Sequence, residues 1–251
     1  MQRRIVAALM IREGLRRFGH DNLGFFWVLG EPMVLTVGVM GMWTISGMGH
    51  GHNLRIIPFA LSGYSMLTLW RHVSGSSAHA LRESSGLLFH SNIRLLDILI
   101  ARCALESLGG FAAFCVAYLP LNLLGYVETI DDPLLLVGGW LFMTWFAFGF
   151  GLAIAGLCQM FEVIEHFVPP LLYLTLPVTG AFYMINWLPE SAQAIVRWSP
   201  LVQVFEMFRA GLFGNEVTAD WNVGFLTLCC LGITAVGLTL VQMAQKHIEI
   251  H

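Results

Sequence analysis

The chain has 251 residues, of which 57% are hydrophobic and 12% charged, with a mean hydropathy of +0.71. A soluble domain carries about 25% charged residues and has no core able to hide so much apolar surface, so the composition excludes a soluble globular protein. The net charge of -3 argues against nucleic acid as a partner, and the five cysteines (Cys103, Cys115, Cys158, Cys229 and Cys230) lie in apolar stretches without metal-ligand or disulfide spacing.

Residues 1–24 read as an interfacial amphipathic helix. On a helical wheel Ala8, Ile11, Leu15 and Phe18 fall on one side, with Arg12, Glu13, Arg16 and Arg17 on the other. Arg12, Arg16 and Arg17 would meet lipid phosphate and cytoplasm, and Gly24 would turn the chain into the bilayer. The stretch is Arg-rich throughout and lacks a small-residue cleavage site after an apolar core, so it does not read as a signal peptide.

A membrane domain then fills residues 25–246, ahead of a tail at 247–251. Six stretches approach the ~20 apolar residues that a span requires: Phe25 to Ile45, Ile56 to Ala80, Leu95 to Leu124, Leu134 to Phe161, Phe167 to Trp187 and Asn222 to Val241. The second is the least apolar, because Arg71, His72 and a Ser/Gly-rich run follow Trp70, so its inner half should face protein or water.

Between the second and third spans, residues 81–97 mix charge with an apolar tip, Leu87, Leu88 and Phe89, where a loop meeting only water would be polar. That pattern suggests a docking knob. Residues 188–221 form a long outer connection, in which Pro189 and Pro200 suit the starts of two short helices. After Pro200, Leu201, Val204, Phe205, Phe208 and Leu212 make an apolar face opposite Gln203, Glu206 and Arg209, which suggests helices dipping back towards the bilayer as a gate or cap.

With both termini in the cytoplasm, ten Lys and Arg fall inside (Arg3, Arg4, Arg12, Arg16, Arg17, Arg71, Arg82, Arg94, Arg102 and Lys246) and three outside (Arg55, Arg197 and Arg209). The bias satisfies the positive-inside rule. The fold class is therefore an all-α integral membrane protein with six transmembrane helices, an amino-terminal interfacial helix and re-entrant outer helices.

The run MIREGLRRFGHDNLGFFWVLGEP at residues 10–32 resembles the amino-terminal signature of type-two ABC exporter permeases for surface polysaccharides. The similarity continues through GLLFHSNIRLLDILIAR at 86–102, LPVTGAFYMINWLP at 176–189 and WSPLVQVFEMFRAG at 198–211, and lies nearest the capsular-polysaccharide, KpsM-like branch. The resemblance implies a homodimer of six-helix subunits in the bacterial inner membrane, paired with two copies of a separate ATPase that binds ATP and Mg, and a channel for a lipid-linked polysaccharide. It implies no cofactor in this chain, and the sequence contains no GxxxxGK[ST] loop. It further implies a periplasmic co-polymerase and an outer-membrane export channel as partners.

By the same resemblance residues 81–97 form the helix that couples to the ATPase, with Gly86, Leu87, Leu88, Phe89, Arg94 and Asp97 as its contacts; relatives often carry an aromatic, Arg and Pro where this chain has His90, Ser91 and Asn92. Pro200, Phe205, Glu206 and Arg209 become the periplasmic gate. A polar polymer crossing hydrocarbon is best served by aromatic faces and few fixed charges. Candidates to line its path are Trp27, Glu31, Trp43, Tyr64, Trp70, Arg71, Tyr183 and Trp187.

Other classes fit less well. An O-antigen or other glycan permease would look similar; a secondary transporter or channel would be expected to show inverted-repeat symmetry or a mid-span acidic pair. An intramembrane metalloenzyme would need Glu162, Glu165 and His166, or His50 and His52, and neither group has the HExxH spacing that puts two ligands on one helical face. Burying the 87–89 tip in an ATPase groove could contribute about 1.5–3 kcal/mol per side chain before ordering costs. Leu88→Asp with Phe89→Asp is therefore expected to leave insertion intact but release the ATPase on co-purification and abolish export, whereas Leu121→Asn should harm folding or transport without releasing it.

Overall fold

The computed structural model describes residues 2–18, 56–80 and 94–249, with backbone alone at 2–3, 16–18 and 246–249. Within them lie eight α-helices and no strand: α1 (Gln2–Phe18), α2 (Ile56–Ala78), α3 (Leu95–Leu123), α4 (Pro133–Met160), α5 (Val163–Leu174), α6 (Glu190–Val196), α7 (Pro200–Phe213) and α8 (Val223–Glu249). The predicted first span and the tip Gly86, Leu87, Leu88 and Phe89 lie outside the described residues.

Helices α3, α4 and α8 are long and apolar enough to cross a bilayer. At ~1.5 Å per residue, the 28 residues of α4 extend about 42 Å, more than the ~30 Å hydrocarbon thickness. The 23-residue α2 has the length but carries Arg71, His72 and a serine-rich last turn, in line with its polar reading from sequence. Asp132 starts α4, accepting from the N–H groups of Leu134 and Leu135 at 2.9 and 3.0 Å, with Pro133 in the first helical position. At the opposite end of the bundle, the Asp97 carboxylate accepts from the Arg94 N–H at 3.1 Å and opens α3.

Central in this bundle is α4, which packs against α8, α2 and α7. Its contact with α8 is a seam of small residues: a Cβ on Gly156 would stand 2.7 Å from the Leu240 carbonyl carbon, and one on Gly237 would stand 2.7 Å from the Gly149 oxygen. Trp145 donates across the seam to Thr234 at 3.2 Å. On the opposite side Trp70 is sealed against Phe146 and Phe150, with ring centroids 5.6 and 4.8 Å away, and Trp140 donates to the Ser107 oxygens of α3. Leu228, Leu231 and Val236 of α8 point outward, as a lipid-facing surface would.

One expectation changes, and α1 gains a second apolar side. The stretch Phe167 to Trp187 is not one continuous helix: α5 ends at Leu174, and two short 3-10 turns follow, at Leu176–Val178 and Ile185–Trp187. Pro169 and Pro170 remove two backbone donors, which weakens the ladder of a helix only 12 residues long. In α1 the side that packs on α3 is Ile5, Val6, Leu9 and Met10 against Ile98 and Ala101, while Ile11 and Leu15 are exposed. Helix α1 thus has two apolar sides, one used by the protein and one left for a bilayer.

The glycine seams give a stability test. A Cβ at Gly211 would lie 2.3 Å from the Leu136 backbone nitrogen, whereas Gly109 and Gly232 have nothing within 4 Å. Gly211→Ala is expected to cost about 1–3 kcal/mol, and Gly232→Ala to be neutral or to stabilise by up to about 1 kcal/mol, as read by thermal unfolding in detergent.

Candidate functional site: a buried clamp and a charged groove

Helix α7 begins with Pro200 and ends at Gly214, whose φ of 52° is a left-handed conformation that favours glycine. Its apolar face, expected to dip towards the bilayer, enters the protein core instead, with Val204, Phe205 and Phe208 sealed from solvent. The polar face is buried as well. Arg209, 0% exposed, donates to the carbonyls of Gly180 and Tyr183, each at 2.8 Å, and Ala181 at 2.5 Å. Its guanidinium lies 3.8 Å over the Phe59 ring, against which Trp187 stacks at 4.8 Å.

One turn earlier, Glu206 accepts from the N–H groups of Ile185 at 2.9 Å and Asp220 at 3.2 Å. Burial pushes its carboxyl pKa up, opposed by the Ile185 N–H and the Arg209 charge. Gln203 donates to the Arg197 carbonyl at 2.6 Å and accepts from the Asn222 N–H at 3.0 Å. Three polar residues on one face of α7 therefore hold three separate loop segments together.

A second polar centre lies between α2, α3 and α5, around a cavity of about 510 Å³. Arg71, His72, Gly75, Ser76 and His79 form its α2 wall, and Val168, Pro169, Leu172 and Tyr173 form its α5 wall. Glu106 of α3 stands 3.5 Å from the His72 Nδ1 atom, and Glu165 of α5 pairs with His79. Arg71 sits 4.4 Å over the Tyr173 ring. Behind the groove, buried Arg102 donates to the Ser76 carbonyl at 3.1 Å and faces Glu13 of α1 at 3.6 Å.

The sequence-selected residues divide accordingly. Arg71 borders the groove, while Tyr183 and Trp187 stand at the clamp. Tyr64 and Trp70 are packed inside the subunit. Arg94 and Asp97 start α3, and Arg12 is exposed on α1; Arg16 and Arg17 also lie in α1. Trp27, Glu31 and Trp43 lie outside the described residues. Glu165 turns inward to His79 while Glu162 and His166 face outward, so the three do not converge. The groove's histidines were missed by reading each residue alone; the signal was their seven-residue spacing, which returns both to one side of α2.

A bundle of long apolar helices with buried charge at both ends is the architecture of a membrane-embedded protein. The chain belongs to the ABC-2 type transporter family, whose model matches residues 5–213. Members of that family are transmembrane transporter subunits. The chain is similar to the capsule polysaccharide export inner-membrane proteins CtrC of Neisseria meningitidis serogroup B, with 34% identity, and BexB of Haemophilus influenzae, with 33% identity; each match covers 99% of this chain and 94% of the relative. It is also similar to the polysialic acid transport protein KpsM of Escherichia coli, at 24% identity over 98% of this chain and 95% of that protein.

Removing the buried guanidinium would leave three carbonyls without their donor and Glu206 without a facing charge. Arg209→Met is expected to destabilise by about 3–5 kcal/mol. Arg209→Lys should recover part of the loss. Both are measured as the heat-resistant fraction in detergent.

Proposed function

We propose that this chain is the membrane subunit of an ABC exporter that moves a lipid-linked capsular polysaccharide across the bacterial inner membrane. The observation that carries the reading is end-to-end similarity to capsule export inner-membrane proteins, at 33–34% identity over 99% of this chain. The subunit works as a homodimer of six-span protomers with both termini in the cytoplasm. Two copies of a separate ATPase bind ATP and Mg and dock on the 81–97 loop. Helix α1 lies along the inner leaflet, a role supported by the exposed apolar side of Ile11 and Leu15 beside exposed Arg12.

The glycan passes along the face of the protomer that carries α2 and α5, with the second copy closing the path. The outward apolar side of α5, at Phe167, Leu171 and Leu174, supports that placement. Helices α6 and α7 frame the periplasmic mouth. Because Arg209 and Glu206 hold the 180–187 loop from within, α7 serves as a fixed frame, and any gating motion belongs to the loop's exposed residues. A periplasmic co-polymerase and an outer-membrane channel receive the polymer.

The test is reconstitution in proteoliposomes with the cognate ATPase and glycolipid. Glycan is expected to enter the lumen only with hydrolysable ATP. Transport driven by an ion gradient without the ATPase would instead identify a secondary transporter.

A further inference from the structure

With the apolar face of α7 inside the protein, the exposed large apolar side chains of the 188–221 connection are Ile195 and Trp198, at the end of α6. They are 76% and 74% exposed, so the protomer itself gives them almost no cover. The Trp198 ring stands edge-on to Phe225, with centroids 6.0 Å apart, and Phe225 lies in the first turn of α8. Leu228 and Leu231 carry the same apolar surface outward along α8, the least covered of the three long apolar helices. Beside the ring, Arg197 and Asp220 pair at 2.6 Å, each about half exposed, so a polar edge borders the apolar one.

The connection between α3 and α4 repeats this arrangement. Exposed Leu123 and Leu124 lead to exposed Tyr126, and exposed Glu128, Asp131 and Asp132 follow. The Asp132 N–H donates to the Gly211 carbonyl of α7 at 3.0 Å, which puts both connections at the same end of the bundle.

We infer that Trp198 and Tyr126 seat this end of the bundle in the headgroup region of a bilayer, with Ile195 and Leu124 entering its apolar edge. Each ring joins an apolar body to a single N–H or O–H, a combination favoured at the boundary between hydrocarbon and water. Helix length then sets the opposite boundary, because a hydrocarbon layer takes about 20 residues of helix. Counted along α8 from Phe225, that length ends beside Lys246. Counted back along α3 from Leu123, it ends beside Arg102, whose partner Glu13 belongs to α1. Two independent starting points thus finish at basic residues, where a span should end. The rings fix the depth of α6, and with it that of the clamp built by α7.

This seating rests on the membrane placement proposed above, and one experiment separates the two. The full-length chain, with its five cysteines replaced by alanine or serine, is reconstituted in phosphatidylcholine vesicles containing phosphatidylglycerol. One spin label is attached at a time, through Ile195→Cys, Leu124→Cys, Leu231→Cys or Asn215→Cys. Collisions with oxygen, which partitions into hydrocarbon, are compared with collisions with a water-soluble nickel chelate present on both sides of the vesicle. The oxygen-to-chelate ratio is expected to be highest at Leu231, intermediate at Ile195 and Leu124, and lowest at Asn215. Trp198→Asp should lower the Ile195 ratio to the Asn215 value and leave Leu231 unchanged. If the cysteine-free chain does not assemble, a benzophenone amino acid at position 195 of the otherwise natural chain decides, by crosslinking to lipid.

A chelate-accessible Ile195 or Leu124 would place that side chain in water and overturn the inference. Shielding from both reagents, or a benzophenone crosslink to protein, would mean that a second copy or another subunit covers it, and would overturn the inference equally. A ratio as high as that of Leu231 would put the site deep in a span rather than at a boundary. Chelate access at Leu231 itself would count against the membrane placement of α8, whereas lipid access there with water access at Ile195 and Leu124 would remove the seating alone.

Discussion

A backbone that leaves its helix inside a packed, water-free core must find other donors for its carbonyls, and one end of this bundle is arranged around that constraint. The chain gives up helical bonding after Leu174, near two prolines, and its carbonyls at Gly180, Ala181 and Tyr183 need donors. Arg209 supplies them from a helix far along the chain, and Phe59 and Phe205 flank its charge with aromatic faces. Close approach makes this possible: a Cβ on Gly63 would fall 2.3 Å from the Ala181 oxygen, so only glycine lets α2 pass there. The broken segment, the clamp and the glycine form one solution to one problem.

The rest of the bundle is ordered by α4. Its glycines bring the α8 backbone into direct contact, where dispersion between closely spaced atoms takes over the role that water exclusion has in soluble cores. Its aromatic residues Phe146 and Phe150 close over Trp70 from the other side. Tight packing along α4 leaves the polar features to collect at the two ends, with the clamp at one and the groove at the other.

Much of this was legible in the sequence because long apolar runs with capped ends have few alternatives. The bounds of α3 and α4 fall within a residue or so of those expected from composition. The stretch from Phe167 to Trp187 misled because its apolar content matches a span while Pro169, Pro170 and Gly180 break its hydrogen bonding, and hydropathy does not count hydrogen bonds. The polar face of α7 misled for a related reason: Glu206 and Arg209 look solvent-facing on a wheel, and only the fold reveals the loop backbone they bond to. The partnership of His79 with Glu165 joins residues 86 positions apart, and no local pattern encodes it.

Arg102 joins two parts of the molecule that otherwise look separate. One edge of its guanidinium faces Glu13 on α1 and another holds the Ser76 carbonyl in the wall of the groove. Because the side chain is buried and short of free volume, it behaves as a strut rather than a tether. A tilt of the amino-terminal helix would therefore be delivered to α2 beside Arg71, so that the two helices move as one body about the side chain that joins them.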